Sequence, residues 1–119
     1  MRPWALPLVV ILPVLLIACG RTVSLETPSA LPVQITFLGE DRRETIQPGS
    51  RKYSDLATWI EHNRSGWSPY LATTPGRGII VTSQNLWLQF LDSSALTQTP
   101  DGIYSKKIAP SDYEFLTCG

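Results

Sequence analysis

The chain opens on an apolar run, Trp4 to Ile17, that carries no charge and falls short of the roughly 20 residues a membrane-spanning helix needs. Met1 and Arg2 give it a short positive start, and Pro3, Pro7 and Pro13 disfavour a permanent helix. A charged start followed by a short apolar stretch is the layout of a targeting segment that is removed from the mature protein. This takes residues 1–18 out of the folding problem. Of 119 residues, about a hundred then remain, enough for one domain around one modest core. With 43% hydrophobic and 17% charged residues, that remainder has the apolar content to fold.

The apolar run ends in Leu16, Ile17, Ala18 and Cys19, which resembles the lipobox of bacterial lipoprotein precursors: a branched residue, a tolerant position, a small residue, then cysteine. The resemblance implies cleavage between Ala18 and Cys19 and a lipid carried on the Cys19 sulfur. Ala18 is small enough for the signal peptidase, and only a thiol supplies the nucleophile that accepts a diacylglyceryl group. In such proteins an Asp after the cysteine favours retention in the inner membrane. Gly20 stands there instead, which implies the outer membrane, with the domain facing the periplasm. A thioether at Cys19 cannot join a disulfide, so Cys118 is expected to pack as a small hydrophobe, pair with another chain or lie free at the terminus.

Residues 19–32 are rich in Ser, Thr and Pro and read as a lipidated tether, so that a single domain is expected over 33–119. Val33, Ile35 and Phe37 alternate with Gln34, Thr36 and Leu38, a period of two that predicts a strand ending at Gly39. The cluster Glu40, Asp41, Arg42, Arg43 and Glu44 mixes both signs and reads as a solvated turn or edge strand, with Glu44–Ile46 a short strand beyond it. Gln47, Pro48 and Gly49 form a turn leading to Ser50, a good N-cap. Tyr53, Leu56, Ala57 and Ile60, with Trp59 and Asn63 beside them, predict a helix over about 51–64.

The segments Gly66–Tyr70 and Thr74–Gly76 read as a Pro- and Gly-rich loop. Gly78–Thr82 and Leu86–Leu91 around Ser83–Asn85 predict a hairpin. Asp92–Gly102 reads as a polar connection, Ile103–Ile108 as a strand guarded at a sheet edge by Lys106 and Lys107, and Tyr113–Leu116 as a short strand or a turn of helix. Alternation sends Tyr104 and Lys106 to one face and Lys107 to the other. The sum is an α+β layer, one helix packed on a small, mostly antiparallel sheet of four to five short strands. Tyr53, Leu56, Trp59, Ile60, Asn63, Gly66, Trp67, Ser68 and Pro69, in that spacing, resemble a pattern in small uncharacterised bacterial lipoproteins. That resemblance implies no activity.

Chemistry is sparse. Ten Lys and Arg balance ten Asp and Glu, and one more acid than base remains once Arg2 leaves with the leader, so no electrostatic footprint for nucleic acid is present. The one histidine, His62, has only Glu61 near it in sequence, on another helical face, so no metal is expected. No cofactor motif is visible. A nucleophilic pair of His62 with Cys118 would depend on a terminal residue. Asp55, Glu61, Asp92, Asp101 and Asp112 qualify as hydrolase carboxylates by type alone. Trp59 is expected in the core. Trp67 and Tyr70 on the loop, and Trp87 on the strand face opposite Leu86 and Leu88, form the candidate partner surface.

These features predict a non-enzymatic, lipid-anchored envelope protein that binds one envelope or toxin protein, as an inhibitory, immunity-type module does. The competing expectation is a structural lipoprotein contacting peptidoglycan or another lipoprotein, and a hydrolase ranks third. Intact-mass measurement of the membrane fraction checks the anchor. The native chain is expected to lose residues 1–18 and gain acyl mass, whereas Cys19→Ser keeps its leader and stays unacylated.

Overall fold

The computed structural model describes residues 20–28 and 30–117; the lipobox and Cys118 lie outside the described residues. Ser50 opens the helix α1 (Arg51–His62), its hydroxyl accepting from the Tyr53 amide at 3.3 Å. The apolar stripe Tyr53, Leu56, Trp59 and Ile60 is buried, and the helix ends two residues before the expected boundary, capped by Asn63. Among the described residues, seven strands form one sheet: β1 (Val33–Phe37), β2 (Arg42–Ile46), β3 (Ser68–Pro69), β4 (Ile79–Ser83), β5 (Leu86–Phe90), β6 (Ser94–Thr99) and β7 (Gly102–Lys107). Their order is β2-β1-β4-β5-β6-β7-β3, and every pairing is antiparallel. A 3-10 turn (Pro110–Tyr113) leads into a second short helix, α2 (Glu114–Thr117).

Directly opposed residues of an antiparallel sheet project to the same face. The row Ile35–Val81–Leu88–Thr97–Tyr104 therefore lies on one face, and all five are buried. Trp59 meets Phe90 edge to face, with ring centroids 4.9 Å apart, which locks helix to sheet. The Phe90 ring also lies 5.1 Å from Tyr113, whose hydroxyl donates to the Leu91 carbonyl at 3.0 Å. Burial holds the Tyr113 phenol above its usual pKa, reinforced by the Asp92 charge.

The sheet is larger than the four to five strands expected, and the second helix was expected only as one of two forms for Tyr113–Leu116. The polar connection Asp92–Gly102 contains β6, a strand hidden because its helix-facing positions are Ala95, Thr97 and Thr99. Thr97 is buried because its hydroxyl donates to the Trp87 carbonyl at 2.9 Å, so burial leaves no polar group unpaired. The Gly66–Tyr70 loop contains β3, which takes a proline because it is a two-residue strand at the sheet edge. The strand β7 is accordingly second from the edge, not the edge itself. The mixed-sign cluster forms the opposite edge: Arg42 bridges Glu40 and Glu44, and Glu44 also pairs with Lys52 at 3.0 Å.

The segment read as a tether is part of the domain. Arg21 pairs with Trp67 through reciprocal backbone bonds of 2.8 and 3.1 Å, the Val23 amide donates to the Arg64 carbonyl at 2.9 Å, and Val23 and Leu25 are buried. Arg64 reaches back to Thr27 at 2.8 Å. Close approach needs glycine at position 20: a side chain on Gly20 (φ +130) would come within 2.9 Å of the Gly66 Cα. Residues 20–25 are therefore packed into the domain, which is not confined to 33–119.

Trp67 joins these pieces. It is 0% exposed, and its indole donates to the Asn63 carbonyl at 2.6 Å, satisfying one of the unpaired acceptors that every helix C-terminus leaves. Trp67→Ala is expected to lower the unfolding free energy by about 3–5 kcal/mol, measured by urea denaturation, as cavity formation in a core does.

Candidate functional site

Burial separates the three aromatic candidates. Trp67, expected on a partner surface, is fully inside and offers a partner nothing. The reason is local: it comes four residues after Asn63, so the chain leaving α1 turns under the helix end rather than out to solvent. Tyr70 and Trp87 remain half-buried. Trp59 is in the core as expected, with its indole N–H unpaired among the described residues.

Tyr70 and Trp87 lie far apart in sequence but share one transverse row on the sheet face away from α1. Thr82 opposes Trp87, Gln98 opposes Ile103, and the Tyr70 amide donates to the Ile103 carbonyl at 2.8 Å. Continuing the β5–β6 register by one residue past Leu88 and Thr97 sets Trp87 beside Gln98. The order across the face is Trp87, Gln98, Ile103, Tyr70, spanning β5 to β3 over about 14 Å at the usual strand spacing. Gln98 is exposed and Ile103 half-exposed, so two rings flank a polar and an apolar contact. Sequence alone singled out neither Gln98 nor Ile103, because neither carries a pattern until β6 and β7 are paired.

The neighbouring row on that face is covered. Gln89 and Leu96, opposed across β5 and β6, are both 0% exposed. The cover is the segment between β3 and β4, and Gln89 clasps it by donating its amide to the Pro75 and Arg77 carbonyls, each at 2.7 Å. At the end of the cover, a side chain on Gly78 (φ +91) would lie 2.3 Å from the Phe90 carbonyl oxygen, so only glycine lets the chain cross there. The clasp sets one boundary of the Trp87–Tyr70 row.

A second concavity lies between α1 and α2, lined by Asp55, Trp59, His62, Asn63, Asp112 and Phe115. It brings together two of the five carboxylates noted in the sequence, and His62 with them. Asp112 is engaged as a cap, its carboxylate accepting from the Ala109 amide at 3.0 Å. Asp55 lies 4.0 Å from Arg51. Glu61 pairs with Arg64 at 3.0 Å, Asp92 with Arg77 at 3.9 Å, and Asp101 sits in the β6–β7 turn, so the five do not form a single site. Among the described residues, no group of three or more His, Cys, Asp or Glu is placed to hold a metal ion.

The two lysines of β7 divide as the alternation predicts. Lys107 is exposed, while Lys106 turns to the helix face, where its ammonium donates to the Ser65 carbonyl at 2.6 Å. Burial lowers the Lys106 pKa, and the Asp112 charge opposes that shift.

The chain matches no family model, no curated protein and no solved structure. Gln89→Leu is expected to leave two carbonyls without their donor and cost about 1–3 kcal/mol, with faster protease cleavage in 71–77 than in the native chain as the readout.

Proposed function

We propose that this is a small lipid-anchored envelope protein, held by acyl groups on Cys19 at the outer membrane and facing the periplasm, whose domain binds another protein in the manner of an inhibitory, immunity-type module. The lipobox-like run Leu16–Cys19 is the observation that carries the reading. The Trp87–Gln98–Ile103–Tyr70 row supports the binding role. Partly exposed aromatic rings on a rigid sheet supply large contact area at low entropic cost, and such residues dominate protein interfaces.

A second reading draws on the same row. Two rings with an amide between them also suit stacking on sugars, which would make the protein a structural lipoprotein resting on peptidoglycan. Detergent-solubilised mature protein used as bait distinguishes the two. The binding reading predicts one stoichiometric envelope protein on the bait, reduced about tenfold by Tyr70→Ala with Trp87→Ala, the loss that roughly 1.4 kcal/mol of binding energy represents. Co-sedimentation with purified cell wall, lost in the same double variant, supports the structural reading instead. Retention unchanged by the double variant excludes the row as the binding surface.

A further inference from the structure

We propose that the β3 edge of the sheet is a membrane-facing surface, resting on the headgroup layer with Leu71 at its contact; this rests on the lipoprotein reading above. Cys19 is bonded to Gly20, so its Cα lies about 3.8 Å from the Gly20 Cα whatever its conformation. Gly20 is itself packed against Gly66, and Arg21 is paired with Trp67. Acyl chains on Cys19 therefore hold the domain with no intervening tether, and the part of the surface around Gly20 meets the bilayer first.

That part of the surface suits a bilayer. The antiparallel Arg21–Trp67 bridge sets Gly20 beside Ser68, and Leu71 follows three residues later, about 10 Å along an extended chain. Leu71 is 95% exposed, against 48% for Leu31, the other large exposed apolar residue among those described. A lone exposed leucine is ordinary on a surface, but one beside an acyl anchor adds apolar contact where the bilayer already lies. Two exposed cations lie nearer Gly20: Arg21 beside β3, and Lys107 at the end of β7, where the β3–β7 register continues to Gly66. Such charges attract anionic headgroups over about a Debye length. The mixed-sign β2 edge is the opposite end of the sheet, six strand spacings or about 29 Å measured along it.

The test uses the full chain, processed in cells and reconstituted into phosphatidylethanolamine vesicles containing phosphatidylglycerol and a nitroxide-labelled lipid. In a Cys118→Ser background, Leu71→Cys or Thr45→Cys carries an environment-sensitive fluorophore; both positions are exposed, so neither probe disturbs the core. Quenching at position 71 is expected to exceed that at position 45, on the far edge, by roughly threefold or more, as a contact buried in the headgroup layer requires. Equal quenching at the two positions, with acyl mass present in the same sample, overturns the docked arrangement alone. Absence of acyl mass overturns the lipoprotein reading and the docked arrangement with it.

Discussion

The junction at Trp67 is the constraint on which the rest of this structure depends. Its backbone pairs with Arg21, its indole caps the end of α1 through Asn63, and the residues that follow it form β3 against β7. Three parts of the chain distant in sequence thus meet at one residue that is fully out of water. A tryptophan suits the position because it fills a large volume and carries a single donor, and a helix C-terminus offers a carbonyl in need of one. Gly20 completes the junction by letting its backbone approach that of Gly66 more closely than a side chain allows.

How much of this was legible depended on whether buried positions were large and apolar. The helix, the first strand and the β4–β5 hairpin were readable because Tyr53, Leu56 and Ile60, then Val33, Ile35 and Phe37, then Leu86, Leu88 and Phe90 repeat at the period of their element. The strand β6 escaped because Thr97 is buried through a hydrogen bond rather than through apolar character. The N-terminal pairing escaped because Val23 and Leu25 give only two beats of alternation among Ser, Thr and Pro. Trp67 was misread for a related reason. Its neighbours Gly66, Ser68 and Pro69 describe a surface loop, and only the tertiary position of the helix end turns that loop inward.

The candidate site shows the same limits. Tyr70 and Trp87 were recognisable as aromatic residues outside the helical stripe, but their alignment across four strands depends on β6 and β7 being paired as they are. The sheet divides the labour of its two faces. One is filled by α1 and the N-terminal segment, the other is partly closed by the clasp at Gln89 and otherwise open along the aromatic row. Joined to an anchor at Cys19, the domain would stand on its β3 edge, with the row rising from the bilayer and the charged β2 edge farthest from it.

The central claim is that the segment from Gly20 to Leu25 is packed into the domain and does not serve as a tether. Native-state hydrogen exchange at the Arg21 and Trp67 amides tests it most directly, because both donate in the same backbone bridge. The Arg21 amide is expected to be protected to nearly the free energy of a core amide such as Val81, opening only when the domain opens. Exchange of the Arg21 amide within roughly tenfold of the unprotected rate, with Val81 still protected, would show a segment detached from the domain and contradict the claim.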